Sequence, residues 1–413
     1  MLDPIQNQSL RLCLGAFRTS PVESLQVEAN EAPLGLRRNK LAAQYITRLA
    51  SNPSNPTRGC CFDMPNNELF MNKPSFIKPF SMRMQTLTNA MNLDLAVVAS
   101  TRLANLEPWR VHLPRVVLSL HTGAKAATNP QTLKEEFDVF LCDELTSTHI
   151  YTDGSKDHSG TACATVSKGR LLLCRLPNEA SIFTAEARAI LLALKIVETT
   201  HTNQFIIFSD SLSCLQAMQC PCWKNPVILD ILENTHILSV SGKEMRFCWL
   251  PSHVGIKGNE AADRGAKAAL LLDIDSCIRL PFSDLKQTIN TYFQQTWQEQ
   301  WNLMLSNKLK PIKPLLGETL LKVVHRRDEV VLHRARIGHT FLTHAYLLKR
   351  EDAPECATCH CLKTVQHILL ECPNYDPFRV KYAFPKSLNE LFTKTCHSSI
   401  TGYLKDIQLY DSF

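Results

Sequence analysis

The chain has no run of 18 consecutive apolar residues anywhere in its 413 residues, which excludes a membrane-spanning helix. Its first residues, MLDPIQNQSLRLCLGAF, lack a basic segment ahead of an apolar core and lack a small-residue cleavage site. No secretion signal is read there, and an intracellular protein is expected. The pairs Arg37-Arg38 and Arg326-Arg327 are too short to mark nuclear import, so nucleus and cytoplasm both stay open. Charge of one sign is scarce too: 45 Lys and Arg against 39 Asp and Glu leave +6, an excess that does not by itself mark a nucleic-acid binder. No internal repeat occurs. What is present is ordinary globular material, 45% apolar and 20% charged, enough for two or three domains at roughly 150 residues each. The 16 cysteines are scattered along a long chain without a signal, so they read as reduced thiols with room for a local metal site, not as a disulfide framework.

Six parts are expected along the chain. Residues 1–50 read as helical, since NEAPLGLRRNKLAAQYITRLA repeats its apolar residues at about 3.6. Residues 51–146 are punctuated by Pro and Asn (SNPSNPTRG, NKPSFIKPF) and read as linker. Residues 147–270 change character, with strands at HIYTD, GTACATVSKG, RLLLCRL, QFIIFSD and EMRFCWL and helices between them. The order β-β-β-α-β-α-α-β-α predicts an α/β fold, a mixed five-stranded sheet flanked by helices. Residues 271–350 read as a basic helical region, 351–380 as a Cys/His module and 381–413 as a tail.

Four carboxylates stand where structure alone gives them no reason. Asp153 and Asp210 close two strands, and the crevice beyond the carboxyl ends of strands is the usual site of an open α/β sheet. Glu186 falls on the apolar stripe Ile182, Ala189, Ala193, Ile196 of its helix, where a charge needs a partner or a metal. Asp263 is placed in the first turn of a last helix capped by Asn259. Singly, each has a bland explanation as a cap, a turn residue or a helix-end charge; together, each on its own element, they do not. Converging carboxylates need a cation, and all-oxygen donors suit Mg²⁺ first and Mn²⁺ second. Two such ions about 4 Å apart serve phosphodiester cleavage. His253, in the Gly-flanked loop SHVGIKG, suits proton movement near neutral pH, although a lone loop histidine is more often a hydrogen-bonding residue.

The segment Lys308 to Arg350 holds ten basic residues against three acidic ones. That surplus fits phosphate contacts through Lys322, Arg326, Arg327, Arg334 and Arg336, or simply a solvated helical face. Cys356-x2-Cys359-x7-His367-x4-Cys372 reads as a CCHC site suited to tetrahedral Zn²⁺. His360 and Cys361 compete as ligands, and the alternative is a set of reduced thiols on a helical hairpin.

YTDGS (151–155), TAEARAILLAL (184–194), SDSLS (209–213) and WLPSHVGIKGNEAAD (249–263) resemble, in order and interval, the motifs of the type 1 ribonuclease H family. The resemblance implies hydrolysis of the RNA strand of RNA–DNA hybrids. It implies Asp153, Glu186, Asp210 and Asp263 as ligands of two Mg²⁺, and His253 as a proton-transfer aid. The wording of WLPSHVGIKGNEAAD, together with RLCLGAFRTSPVESLQVEANEAPLGLRR (11–38) and ECATCHCLKTVQHILLECPNYDPFR, is similar to the C-terminal part of jockey-like non-LTR retrotransposon polyproteins. By that likeness residues 1–50 correspond to a segment following a reverse-transcriptase palm. No Asp-Asp dipeptide occurs, so the palm's catalytic motif is missing, and a palm domain in trans is an expected partner beside the hybrid itself. QCPCWKNP (219–226) offers only Trp223 and Lys224 where some cellular members carry a basic substrate-gripping protrusion. The rival reading is a catalytically silent, nucleic-acid-binding remnant.

Overall fold

The computed structural model describes residues 2–413 apart from 63–69, 71, 73–76, 103–106, 108–109, 121–128, 143, 220–224, 318–320 and 322–324. Trp223, Lys224 and Lys322 therefore lie outside the described residues. Two compact units form, one from residues 42–290 and one from residues 1–41 with 291–413. The helices expected at 1–50 thus belong, as far as residue 41, to the same unit as the C-terminal region.

The unit 42–290 is built on one sheet. Its strands are β1 (Arg115–Val117), β2 (Thr148–Asp157), β3 (Gly160–Ser167), β4 (Arg170–Leu176), β5 (Gln204–Ser209) and β6 (Glu244–Trp249), in the spatial order β1-β6-β5-β2-β3-β4. The pairs β1·β6, β6·β5 and β5·β2 are parallel, whereas β2·β3 and β3·β4 are antiparallel. Helices α1 (Ile182–Thr199), α2 (Leu212–Gln219), α3 (Pro226–Val240) and α4 (Lys257–Ala269) complete the expected order.

Five strands lie where the sequence pattern puts them. The sixth, β1, comes from the stretch expected to be linker, which also contributes the helices Phe80–Ala90 and Pro130–Cys142. Three residues are too few to show a period of two, so β1 is defined only by its register against β6, Arg115↔Arg246 to Val117↔Cys248. The apolar run Phe205 to Phe208 is 0–1% exposed, as a central strand covered on both faces requires. Ile150, Ile190, Ile231 and Phe247 join it in the main core.

Local chemistry sets the helix starts. Ser181 caps α1 by accepting the Thr184 N–H, and Asn225 caps α3 ahead of Pro226. Two details differ from expectation. Ile182, placed on the buried stripe of α1, is its first residue and 47% exposed, and burial along the helix begins at Thr184. Helix α4 starts at Lys257 behind Ile256, so Asn259 is not its cap. Asn259 is instead buried, and its Oδ1 finds no hydrogen-bond partner among the described residues.

The second unit is helical around Trp301, Leu309, Val331, Leu369, Tyr403 and Phe413. The tail beyond 381, unreadable from its pattern, forms the helices Leu388–Lys394 and His397–Asp406. Among the described residues no helix is long and apolar enough to cross a membrane.

Candidate active site

Register brings the first two carboxylates together. The parallel ladder between β2 and β5 ends at Thr152↔Ser209, so Asp153 and Asp210 are the next residues on adjacent strands, both past the end of that ladder. Strand β2 does not stop at Asp153, as expected, but runs on to Asp157 against β3, with Asp153 opposite Ala164. The Trp249 indole N–H donates to the Asp210 carbonyl at 3.1 Å and ties the end of β6 to the same place.

Glu186 arrives from α1. A Cβ on Gly154 would stand 2.8 Å from the Glu186 backbone nitrogen and 3.0 Å from the Ala185 Cβ. Only glycine therefore lets α1 approach β2 this closely. The Gly154 N–H hydrogen-bonds the Glu186 carboxylate. Ligand oxygens of Asp153, Glu186 and Asp210 all lie within 4.8 Å of one another.

Such crowding leaves its mark on proton affinity. Burial, then Asp210, then Asp263 push the Asp153 carboxyl up to about 8, with Lys267 opposing. Burial, then Asp210 and Asp153, hold Glu186 well above the ordinary carboxylate range. Glu186 Oε2 is buried and has no hydrogen-bond partner among the described residues. Three oxygen donors that repel each other, one of them unsatisfied, fit a hard divalent cation.

Asp263 stands apart from this trio. It lies in the second turn of α4, not the first, and its Oδ2 accepts from Lys267 Nζ at 2.8 Å. It is near enough to raise the Asp153 carboxyl. Sequence reasoning missed Lys267, although an Asp followed by Lys four residues on is a readable helical pairing signal. His253 is exposed, with φ +59, in the loop between β6 and α4.

In the second unit, Cys356, Cys359, His367 and Cys372 also offer ligand atoms within 4.8 Å of one another. Cys372 Sγ lies 3.8 Å from Cys356 Sγ and 3.9 Å from Cys359 Sγ. These are not disulfides. They match the roughly 3.8 Å edge of a tetrahedron with Zn–S bonds near 2.3 Å. The turn closes through Cys356 N–H to Cys361 O at 2.8 Å and His360 N–H to Cys356 O at 2.9 Å. Hydrogen bonding, first from His367, draws the Cys356 thiol below its ordinary range. The rival ligand Cys361 has its Sγ 3.5 Å from His367 Nδ1.

Arg326, Arg327, Arg334 and Arg336 of the basic stretch all have partners within their unit. Arg336 is 4% exposed and donates from Nε to Glu28 at 2.7 Å. Arg334 donates to the Gly15 and Phe413 carbonyls at 2.7 and 3.1 Å. Arg326 pairs with Glu329 and reaches the Leu12 and Cys13 carbonyls, and Arg327 pairs with Asp411. Their forks close helix ends and ion pairs, a structural use the charge count could not distinguish from phosphate binding.

With strand order, helix placement and acidic trio in place, the match to known proteins falls on this unit. Residues 146–271 match the family model described as RNase H, so the chain contains an RNase H domain on a mixed α/β sheet. Beyond that domain label, the chain is similar to Pol polyproteins of equine infectious anemia virus. Those of isolates 1369 and CL22 and of strain Wyoming are each 34% identical over 148 residues, 33% of this chain and 12% of each viral protein. The chain thus spans 12% of the length of these curated relatives.

Proposed function

We propose that the chain hydrolyses the RNA strand of RNA–DNA hybrids with Asp153, Glu186, Asp210 and Asp263 as ligands of two Mg²⁺, Mn²⁺ being a workable substitute. The observation that carries this reading is the trio of carboxylates within 4.8 Å just past the end of the β2·β5 ladder, with Glu186 Oε2 unsatisfied among the described residues. Bound there, the ions supply an activated water and neutralise the leaving oxygen. The chain's own residues do the rest. Asp153 and Asp210, fixed by strand register, give the rigid part of the donor set. Glu186 adds a donor aimed from α1. Asp263 completes it by giving up Lys267. His253, exposed on its loop, carries a proton to or from solvent. The expected products end in 5′-phosphate and 3′-hydroxyl.

Zn²⁺ held by Cys356, Cys359, His367 and Cys372 is proposed as a structural ion of the second unit. Origin in a jockey-like non-LTR retrotransposon is likewise our reading of WLPSHVGIKGNEAAD and its flanks, and a palm domain acting in trans is a proposed partner. Arg326 and Arg327 keep exposed flanks for nucleic acid, whereas Arg334 and Arg336 are assigned to the interior of their unit.

The test is cleavage of an end-labelled RNA–DNA hybrid with and without Mg²⁺. Metal-dependent internal cuts in the RNA strand alone support the proposal. Binding without cleavage by folded protein would overturn it in favour of the silent remnant.

A further inference from the structure

Two cysteines oppose each other across the outermost pair of strands in the unit 42–290. In the antiparallel ladder of β3 and β4, Cys163 is the register partner of Cys174. Opposed residues of such a ladder have Cα atoms roughly 4.5 or 5.5 Å apart, according to the type of pair. Both separations fall inside the span of about 4.4–6.8 Å that a disulfide bridges. Opposed side chains also leave the sheet on one face. That face lies under α1, because Thr165, two residues past Cys163, donates from Oγ1 to the Ala189 carbonyl at 2.7 Å. Both cysteines are free thiols. Among the described residues the remaining strand cysteine, Cys248, has no such opportunity, since its register partners are Val117 and Phe208.

Access to the two sulfurs is unequal. Cys163 is wholly buried, whereas Cys174 is half-buried, and both line a cavity of about 420 Å³ between β4, α1 and α3. Arg188 and Lys195 of α1 border the same cavity, with Asp275 opposing their charge. The hydrogen bond that the thiols share is the largest influence on both. It pushes Cys163 up and draws Cys174 down. The reachable member of the pair is thus the one that ionises first, and a thiolate is the form that oxidants attack.

We infer that Cys163 and Cys174 form a reversible oxidation site, at which a peroxide joins them in a cross-strand disulfide that ties β4 to β3. The chemistry balances in two steps. The Cys174 thiolate attacks hydrogen peroxide, breaks its O–O bond, releases hydroxide and becomes a sulfenic acid. The Cys163 sulfur then displaces the sulfenic oxygen, which leaves as water with the Cys163 proton. Two electrons pass from the two thiols to the peroxide. Strand β4 ends the sheet order, so the bond fixes the margin of the sheet. The inference does not rest on the nuclease reading, since no carboxylate ligand enters it.

The experiment uses the full chain, reduced, freed of reductant and exposed to hydrogen peroxide. Remaining thiols are alkylated and the chain is digested with trypsin. Each cysteine lies alone in its tryptic peptide, 157–168 and 171–175, so the disulfide appears as one linked species that dithiothreitol splits. That species should account for most of both peptides. The oxidised chain should melt about 5 °C above Cys174→Ser treated in the same way, because the closed loop restricts the unfolded chain. Cys174→Ser, a change at a half-buried position, should melt like the reduced wild type before treatment and give no linked species; Cys163→Ala should likewise give none. Recovery of the two peptides singly, at a dose that has already oxidised the exposed Cys277, would overturn the inference. So would linkage of either peptide to a different cysteine, or an unchanged melting transition in chains that carry the link.

Discussion

A carboxylate kept inside a protein must hold a proton, find a cationic side chain or bind a metal. Glu186 and Asp263 differ in this respect: Glu186 has no cation among the charges acting on it, whereas Asp263 has Lys267. Replacing Asp210 by Asn should leave the melting temperature intact or raised, because it relieves repulsion on both Asp153 and Glu186. Cleavage should fall about a hundredfold or more, since a lost ligand removes several kcal/mol of transition-state stabilisation. Wild-type turnover by this variant in the hybrid assay would remove the metal assignment. Lys267→Ala should act in the opposite direction. It frees Asp263, so half-maximal Mg²⁺ in a thermal-shift titration should drop about twofold to fivefold, the modest range expected of a largely exposed pair.

At the scale of elements, two glycines set how near the helices come. Gly154 admits α1 to β2, and a Cβ on Gly258 would overlap the Tyr151 ring, which stacks on Phe208 at 5.0 Å. Gly154→Ala should cost about 1–3 kcal/mol by overpacking, seen as a lower denaturant midpoint. It should also depress cleavage, because Glu186 moves with its helix. An unchanged midpoint would mean that strand and helix are less tightly matched than the 2.8 Å approach implies. These elements were largely readable beforehand. The four-residue apolar run of β5, the turns around Gly160 and Gly169 and the strand-end aspartates are all local signals, and register then places Asp153 beside Asp210. What was not readable depends on partners distant in the chain. Strand β1 is only three residues long. Asn259 looked like a cap, but the helix start was taken over by Ile256. Arg334 and Arg336 looked like phosphate ligands because nothing in their own segment reveals Glu28, Gly15 or Phe413 as acceptors.

On the scale of the whole molecule, the proposed reading gives each unit its own ion. Purified chain should contain about one equivalent of zinc by elemental analysis, and Cys372→Ser should lose it while the 146–271 domain still folds. Folded protein that is free of zinc would dismiss the ion. The second unit should also be acid-sensitive. His339 and His344 stack at 3.6 Å. Burial, then His344 and Lys308, hold His339 at about 3, and burial, then Lys308, hold His344 at about 4, below their ordinary 6.5. An unfolded chain takes up protons below pH 6.5 that these folded rings refuse, so their contribution is complete above 6.5 and is lost as pH falls through 4. Glu28 adds to this at lower pH. Burial raises its carboxyl, but the His333 hydrogen bond and Arg336 outweigh that and bring it to about 2, so its contribution is full above about 4.5 and fades on further acidification. Calorimetry from pH 7 to 4 should show a falling transition, flattened in His344→Phe; a level profile in the wild type would contradict the assignment.

The short strand β1 has a practical corollary. It lies outside the family-matched span 146–271 yet covers the outer side of β6 through Arg115↔Arg246 to Val117↔Cys248. A fragment cut at 146 would leave β6 with bare amide and carbonyl groups along a hydrophobic margin, inviting strand-to-strand sticking between molecules. Anyone excising the domain for crystallisation or assay does better to begin ahead of Arg115 than at the boundary that homology suggests.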